Sequence, residues 1–585
     1  MFEIEQKDIE TKINTYFDTQ GIPVSSLNWN WIPFSGHWGI STSFFQTAAQ
    51  ESRQGRKVNV PQRAQEIAQM VANHLGKPVG FEHLEAVKGY LNLYFSTPEY
   101  TQRVIDTVLE QGNRFGHGDA TNQKVMVEFS QPNTHKAFHV GHLRTMFLGD
   151  CVSNILEFAG NNVIRANYIG DIGLHVIKWL WNYLNYHKGE LPGNDVTRWM
   201  GDLYEEANER YFSSKEIEAE VRSLFGQWEK RDPELVTLWQ KSRQWSLDGF
   251  EQVYHLLGVH FDHFYFESEV EEPGKEMVAQ LIKLGLARDE RPEGAVIIPL
   301  DEIVGTKEKY RTLVILRSDG SSLYSTKDLA LTIKKFTEYQ LDRSIYVVDV
   351  RQSLYFQQIF KTLELMGYSW PKSCYHLAYE IVNLPGNVVM SSREGTVVLL
   401  EDWVREAIGR ALDIVKTKNP DLPPEKQRAV AKAVALGAIR YSLLARESTK
   451  VVTFDWQAAL DFDGQAAPYI QYAAVRANSI IRKSGGEIPE SLQSVNNLVP
   501  AEIHMVDLIS RFPNEVQRAA NELRPLYIAS LAYDLAKAFN DFYSQCPVLQ
   551  VDEQTRKHRL RLVAAAHQAI SNSLALLGIE TPEVM

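Results

Sequence analysis

One stretch, Val125 to Arg144, constrains this chain more than any other. Val125-Met126-Val127-Glu128-Phe129 is an apolar run of strand length, and Ser130-Gln131-Pro132-Asn133 follows as a polar turn. His139-Val140-Gly141-His142 then opens an apolar-periodic segment that predicts a helix over 143–158. A buried strand feeding a helix through a polar loop is the first half of a nucleotide-binding βαβ unit. The free N–H groups and positive dipole end of such a helix suit phosphate. Two imidazoles three residues apart add hydrogen-bond donors, and Gly141 between them leaves room for a flat base against the backbone. A second strand is predicted over 163–169. Gly170-Asp171-Ile172-Gly173 stands at its C-terminal end, where α/β sheets place ligands.

His139-Val140-Gly141-His142 resembles the HIGH signature of the class I aminoacyl-tRNA synthetases. The run Glu128-Phe129-Ser130-Gln131-Pro132-Asn133, with Lys136 and Phe138 ahead of the histidines, resembles the arginyl-tRNA synthetase family specifically. Further along, Val389-Met390-Ser391-Ser392-Arg393-Glu394-Gly395 is similar to the KMSKS loop in the form this family often uses. Alone that loop is a weak signal, but in order behind the first motif it is a strong one. The resemblance runs nearly end to end, although it is tight only around the motifs.

The organisation expected is α/β: a Rossmann-type nucleotide-binding catalytic domain with an N-terminal α/β module and an all-α C-terminal anticodon-binding domain. Residues 1–120 are assigned to the N-terminal module. A helix is predicted over 60–75, a strand of period two over 90–95, and a helix from Glu99 to Gln111 ending at Gly112. In the family this additional domain touches the tRNA elbow. Residues 121–400 are assigned to the catalytic domain, with a charged helical insertion at about 185–260. Its second half is expected to use 313–316 and 344–350 as strands. Thr326 is read as a helix N-cap that places Asp328 in the first turn, where the dipole favours an ionised carboxylate. Residues 401–585 are expected to be a helical stem and anticodon-binding domain, with 419–424 the flexible link.

Composition is that of an ordinary soluble globular protein: 585 residues, 44% hydrophobic and 23% charged. Cys151, Cys374 and Cys546 are far apart without a CxxC pair, so neither a disulfide framework nor a zinc ribbon is indicated. No signal peptide or apolar run of membrane-spanning length is present, and a cytoplasmic location is expected. The net charge of −12 argues against nucleic-acid binding as a bulk property, so RNA contact requires a local basic face. Arg440, Arg446 and Lys450 form one candidate cluster; Arg556, Lys557, Arg559 and Arg561 form another. Each cluster reads equally as a solvated helix face.

The resemblance implies a reaction in two steps. The carboxylate of L-arginine attacks the α-phosphate of ATP, and the arginyl group then passes to the terminal adenosine of tRNA(Arg), at the 2′-hydroxyl first. Positioning and electrostatics dominate such chemistry. His139, His142, Lys136 and Arg393 are the expected catalytic residues, and His139, Gly141, His142, Met390, Ser391, Ser392 and Arg393 the ATP-binding set. Mg2+ is carried with ATP, and no protein-bound structural metal is expected. The planar guanidinium calls for anions and acceptors. Glu128, Ser130, Asn133, His142, Tyr324, Asp328 and Gln352 are the arginine-binding set, with the division between the two amides left open. A site of this kind rejects an analogue lacking the donors by about 10⁴-fold without editing. Tyr469, Gln471, Tyr472 and Arg476 are the expected tRNA-binding residues, aromatics being suited to stacking on unpaired bases. A monomer is expected, with no membrane partner. In the family, activation also requires bound tRNA.

The sequence departs from the family pattern at Gln131, Ala137, Ala474 and Glu394. Glu394 stands where the family's loop carries a lysine, and a carboxylate repels pyrophosphate. Family members without that lysine carry one just ahead of the HIGH motif, which is the position of Lys136. A paralogue that binds RNA without charging it and a small HxGH nucleotidyltransferase remain as alternatives; the long helical C-terminus argues against the second.

Overall fold

The computed structural model describes residues 3–32, 34, 36–384, 386, 398–491 and 498–585. The chain divides into two compact units, Met1–Phe115 with Arg476–Phe512 and Asp534–Ile570, and Gly116–Val475 with Pro513–Tyr533 and Ser571–Met585.

In the first unit, four antiparallel strands lie in the order Asn30–Trp31, Gly39–Ser43, Tyr90–Phe95, Phe81–Val87. Leu91, Leu93 and Phe95 point inward and Tyr90 outward, the period of two read from the sequence. The helix Val60–Leu75 starts on Asn59, whose side chain accepts from the Gln62 N–H. Trp38 stacks on Tyr100 at 4.5 Å and donates its indole N–H to Asp507 at 2.9 Å. Arg561 pairs with Asp106, and Arg559 with Glu502 at 2.7 Å. These two arginines of the expected basic cluster therefore tie helices together instead of facing solvent.

The second unit is built on a parallel sheet of five strands: β1 (Lys124–Glu128), β2 (Asn162–Ile169), β3 (His263–Phe266), β4 (Arg343–Asp349) and β5 (Cys374–Tyr379). Their spatial order, 3-2-1-4-5, is that of a nucleotide-binding sheet, reversing direction at β1. Ten helices of this unit matter here: α1 (Val140–Phe158), α2 (Leu174–Tyr186), α3 (Val196–Ser213), α4 (Lys215–Glu229), α5 (Pro233–Leu257), α6 (Glu267–Lys283), α7 (Tyr324–Tyr339), α8 (Ser353–Leu365), α9 (Leu400–Lys418) and α10 (Pro424–Leu444).

The expected insertion is α3 to α5, packed with α2 around Trp179, Trp228 and Trp239. It does more than connect two halves. Tyr254 on α5 bonds Ser130 at 2.9 Å and Asn167 at 2.8 Å, while Ser242 and Ser246 hold His135 by its Nε2 and its backbone N–H.

The strand expected over 313–316 is present, in a sheet apart from the central one, and three expectations are corrected: the Thr326 cap, the link at 419–424 and Arg440 as part of a basic face. The strand over 313–316 is Thr312–Leu316, paired antiparallel with Val296–Pro299 in a separate three-stranded sheet. Its alternating burial is that of a sheet wet on one face, unlike the doubly covered central strands. Helix α7 begins at Tyr324 on Leu323; Thr326 lies inside it, its hydroxyl bonded to the Ile315 carbonyl, so Asp328 sits beyond the first turn. Residues 419–424 form a hydrogen-bonded turn between the packed α9 and α10: Gln427 donates its amide to the Asn419 carbonyl at 3.1 Å. Arg440 on α10 is buried and bonded to Asp150 at 2.6 Å and to the Leu257 carbonyl, which removes it from any RNA-facing cluster.

α1 seats directly on the strand before it. A Cβ on Gly149 would lie 2.2 Å from the ring of the fully buried Phe129. Gly149→Ala forces that ring aside in a close-packed layer, costing about 1–3 kcal/mol. Thermal unfolding is expected to show an apparent Tm lowered by several degrees; an unchanged Tm contradicts this packing.

Candidate active site

The start of α1, where the sequence places phosphate, is built on a reciprocal helix cap. His139 is the N-cap of α1: its Nδ1 accepts from the Gly141 N–H at 3.1 Å, and His142 Nδ1 accepts from the His139 N–H at 3.1 Å. A backbone N–H only donates, so His139 Nδ1 is an acceptor and its neutral ring carries the proton on Nε2; His142 Nδ1 lies also 3.3 Å from the His139 carbonyl. Burial holds both imidazoles below their ordinary range, helped by Lys136 beside His139 and by His139 beside His142, with the His139 backbone opposing at His142. The reciprocal cap thus fixes two imidazoles at a helix start, with His139 Nε2–H free of the cap.

Lys136 reaches this turn from the loop. Its ammonium lies 4.8 Å from the Tyr204 ring centre on α3, and burial, then Lys178, lowers its pKa. The described residues that follow the second motif in the chain meet this turn. Val398 accepts from the Val140 N–H and Phe138 from the Leu400 N–H, both at 3.1 Å. Met390, Ser391, Ser392, Arg393 and Glu394 lie outside the described residues.

The loop between β1 and α1 turns on Ser130 and Gln131 at φ +78° and +51°, uncommon for residues with a Cβ. Thr145 Oγ1 holds the Ser130 N–H at 3.2 Å, and Asn167 Oδ1 the Gln131 N–H at 3.1 Å. Pro132 and Thr134 pair with Gly170 through backbone bonds of 3.0 and 2.9 Å, bringing Asn133 beside the end of β2.

At these strand ends opens a cavity of about 460 Å³, a size suited to a small ligand. Glu128, Asn133, Tyr324, Asp328 and Gln352 from the sequence-based set line it; Ser130 and His142 do not. The Ser130 hydroxyl is turned onto Tyr254, and the His142 ring is in the helix cap. Gln131, Tyr168, Glu267, Lys335, Tyr346 and Tyr355 line the cavity without having been singled out. Lys335 had a legible signal: it stands seven residues after Asp328, on the same helical face. A larger concavity of about 900 Å³, lined by Arg410, Trp456 and Phe462 among others, shares no residue with either motif.

Charge in the smaller cavity is unevenly compensated. Lys335 Nζ is bonded to Glu128 Oε2, both side chains being almost fully buried, and Lys327 Nζ lies 2.7 Å from Glu267 Oε1. Among the described residues Asp328 has no such partner. Its Oδ2 accepts from the Tyr355 hydroxyl at 2.5 Å, and its Oδ1, shielded from solvent, has no hydrogen-bond partner among them; nor has the hydroxyl of Tyr168. Burial pushes the Asp328 carboxyl up to about 7, the Tyr355 bond opposing and Glu128 adding to the rise. This corrects the expectation that the helix dipole keeps it ionised: desolvation outweighs a dipole felt mainly in the first turn. Buried polar atoms without partners are rare, and two on one cavity wall mark a place for a polar, cationic ligand.

Of the expected RNA contacts, Gln471 is fully buried, its amide donating to the Ala433 and Glu580 carbonyls at 3.2 and 2.7 Å. It is a packing residue. Tyr469 and Tyr472 are half-buried, and Arg476 bonds Asn540 at 3.0 Å.

Comparison with known proteins gives the family and the fold. A family model described as tRNA synthetases class I (R), catalytic domain, matches residues 104–456, and a DALR anticodon binding domain model matches residues 470–585. The chain is 35% identical to an arginine–tRNA ligase of Bdellovibrio bacteriovorus over 85% of its length and 86% of that protein's. It is 35% identical to one from Clostridium perfringens over 89% and 90%. The Thermus thermophilus arginyl-tRNA synthetase structure superposes with a TM-score of 0.79 at 28% identity, covering 99% of this chain and all of that one.

A carboxyl whose folded pKa lies above its unfolded value contributes stability that is lost as pH rises through the folded value. Asp328, at about 7 in the fold, therefore costs stability above neutrality. Asp328→Asn is expected to raise the apparent Tm of the ligand-free protein by several degrees at pH 8 and by little at pH 4.5. Equal shifts at both pH values contradict the assignment.

Proposed function

The chain belongs to the class I arginyl-tRNA synthetase family, and from that premise we infer that it is an arginine–tRNA ligase, charging tRNA(Arg) with L-arginine at the expense of ATP. The observation that supports the amino-acid assignment best is the Asp328 carboxylate, partnerless at Oδ1 on the wall of a cavity at the ends of β1, β2 and β4. A guanidinium supplies N–H donors to a carboxylate in one plane.

In this reading the arginine side chain enters past Tyr324, at the exposed mouth, and pairs with Asp328. Asn133 and Gln352 hold the α-amino and carboxylate end. That end then faces the α1 start, where ATP lies with its α-phosphate near the Nε2–H of His139 and the ring of His142. Gly141 leaves the backbone open to the adenosine. The arginine carboxylate attacks the α-phosphorus, the P–O bond to pyrophosphate breaks, and negative charge builds on phosphoryl oxygens that the helix N–H groups and the imidazoles are oriented to meet. Mg2+ carried with ATP would supply positive charge to the departing pyrophosphate. Lys136 supplies the cation that Glu394 cannot, and Arg393 of the second motif is assigned to the phosphates. The adenylate then passes its arginyl group to the 2′-hydroxyl of the tRNA's terminal adenosine, releasing AMP. Tyr469 and Tyr472 are assigned to stacking on RNA bases. The three cysteines are buried free thiols, and we place the protein in the cytoplasm, as a monomer, with tRNA-dependent activation.

ATP–pyrophosphate exchange with each amino acid, with and without tRNA, tests this reading: arginine alone is expected to support exchange, and only with tRNA. Lysine or citrulline activated as well as arginine contradicts it. Lys136→Ala is expected to lower kcat by tenfold or more, with arginine affinity little changed. Exchange at the parent rate rejects the role of Lys136.

A further inference from the structure

Arg144 stands one turn into α1 and is almost fully buried. Among the described residues no carboxylate pairs with it; Glu447, whose backbone it holds, turns its own carboxylate to Arg524 at 3.7 Å. The guanidinium donates instead to three backbone carbonyls: through one terminal nitrogen to Leu443 near the end of α10, and through the other to Glu447 at 3.3 Å and Ser448 at 3.1 Å. Its buried Nε has no partner among the described residues. Burial lowers its pKa to about 10, Tyr379 opposing and Arg446 adding. A buried cation without a counter-ion is costly, and carbonyls at a helix C-terminus offset only part of that cost. A methionine would fill the same space without it. What arginine adds is a planar fork that holds carbonyls from a helix end and from the turn after it at once.

Those carbonyls lead to the second motif. Ser448 also accepts from the Glu380 N–H at 2.9 Å, just past the end of β5. Val452–Thr453 then pairs in parallel with Val382–Asn383, which stands shortly ahead of the second motif in the sequence. On the far side of the motif, Val398 and Leu400 bond the backbone of Val140 and Phe138. Both described flanks are thus fastened to the start of α1, the downstream one by backbone and the upstream one through the Arg144 fork.

We propose that Arg144 is a positioning residue for the ATP side of the site: its guanidinium fixes the turn at Glu447 and Ser448, and with it the strand Val382–Asn383, against the helix that carries the His139 and His142 cap. This rests on the arginine–tRNA ligase reading above, in which both motifs serve ATP, and goes beyond it by naming what holds their flanks in register. Arg144 itself touches no substrate. Neither it nor Leu443, Glu447 or Ser448 lines the arginine cavity, so its loss falls on the use of ATP and spares arginine binding.

The test uses the full-length protein, with arginine affinity read by calorimetry, and kcat and the KM for ATP read by tRNA-dependent ATP–pyrophosphate exchange. Arg144→Lys keeps the charge but not the fork; Arg144→Met removes both. Arg144→Lys is expected to bind arginine within about threefold of the parent while kcat falls by about tenfold or more and the KM for ATP rises several-fold. Arg144→Met is expected to lose more in the same direction, so that lysine is a partial rescue. Arginine affinity falling in step with the ATP parameters means a general loss of structure and overturns the proposal. So does an Arg144→Lys protein with the parent's kcat and KM, which needs no fork. Should Arg144→Met fail to fold, Arg144→Lys decides alone; if neither folds, Arg144 serves stability only and the proposal falls. A parent protein that shows no arginine-dependent exchange refutes the functional reading instead, which keeps the two failures apart.

Discussion

The structure turns on the cost of holding a carboxylate away from water without a counter-ion. Isolated buried charge is expensive, and proteins ordinarily avoid it by pairing or by protonation. Around this cavity the chain pairs two of three carboxylates and leaves Asp328 to wait. The Tyr355 bond keeps its geometry fixed, while the raised pKa records the penalty that a cation would relieve. Stability is given up locally so that binding can recover it, a common arrangement at functional sites.

The phosphate side uses a different economy. It draws on the N–H groups at the start of α1. His139 serves the fold and the chemistry with opposite edges of one ring: Nδ1 closes the helix cap, and Nε2–H is left to donate. Protonating that ring would break its bond to the Gly141 N–H, so its depressed pKa protects local structure as well as the donor. Both sides meet in the turn at Ser130 and Gln131. Its left-handed backbone is held by α1, β2 and α5, so the insertion that carries α5 belongs to the framework of the site.

Much of this was legible in the sequence because the signals were local. The apolar run before a polar turn gave β1, and the apolar period after His139 gave α1; the structure starts that helix three residues earlier, at Val140. Asp328 and Tyr324 could be named from their spacing, as could Asn133 and Gln352 from their motifs. What was not legible depends on neighbours far along the chain. Nothing in Gln471 tells that Ala433 and Glu580 take its amide, and nothing in Arg440 announces Asp150. The strand Thr312–Leu316 has the right composition for the central sheet, and only its pairing partner puts it elsewhere. Lys335 was readable as a residue on the Asp328 face, but its pairing with Glu128 joins positions 207 apart. The ionisation of Asp328 was misread because dipole position can be judged from sequence and desolvation cannot.

The central claim is that one desolvated carboxylate receives the substrate's cation. Its most direct test is the number of protons released when arginine binds, measured by titration calorimetry in buffers of different ionisation enthalpy. With Asp328 near 7 in the empty cavity and ionised when paired, release is expected to be close to one proton per arginine at pH 6 and close to none at pH 8.5, vanishing in Asp328→Asn. Tight binding at both pH values with no proton release would contradict the account.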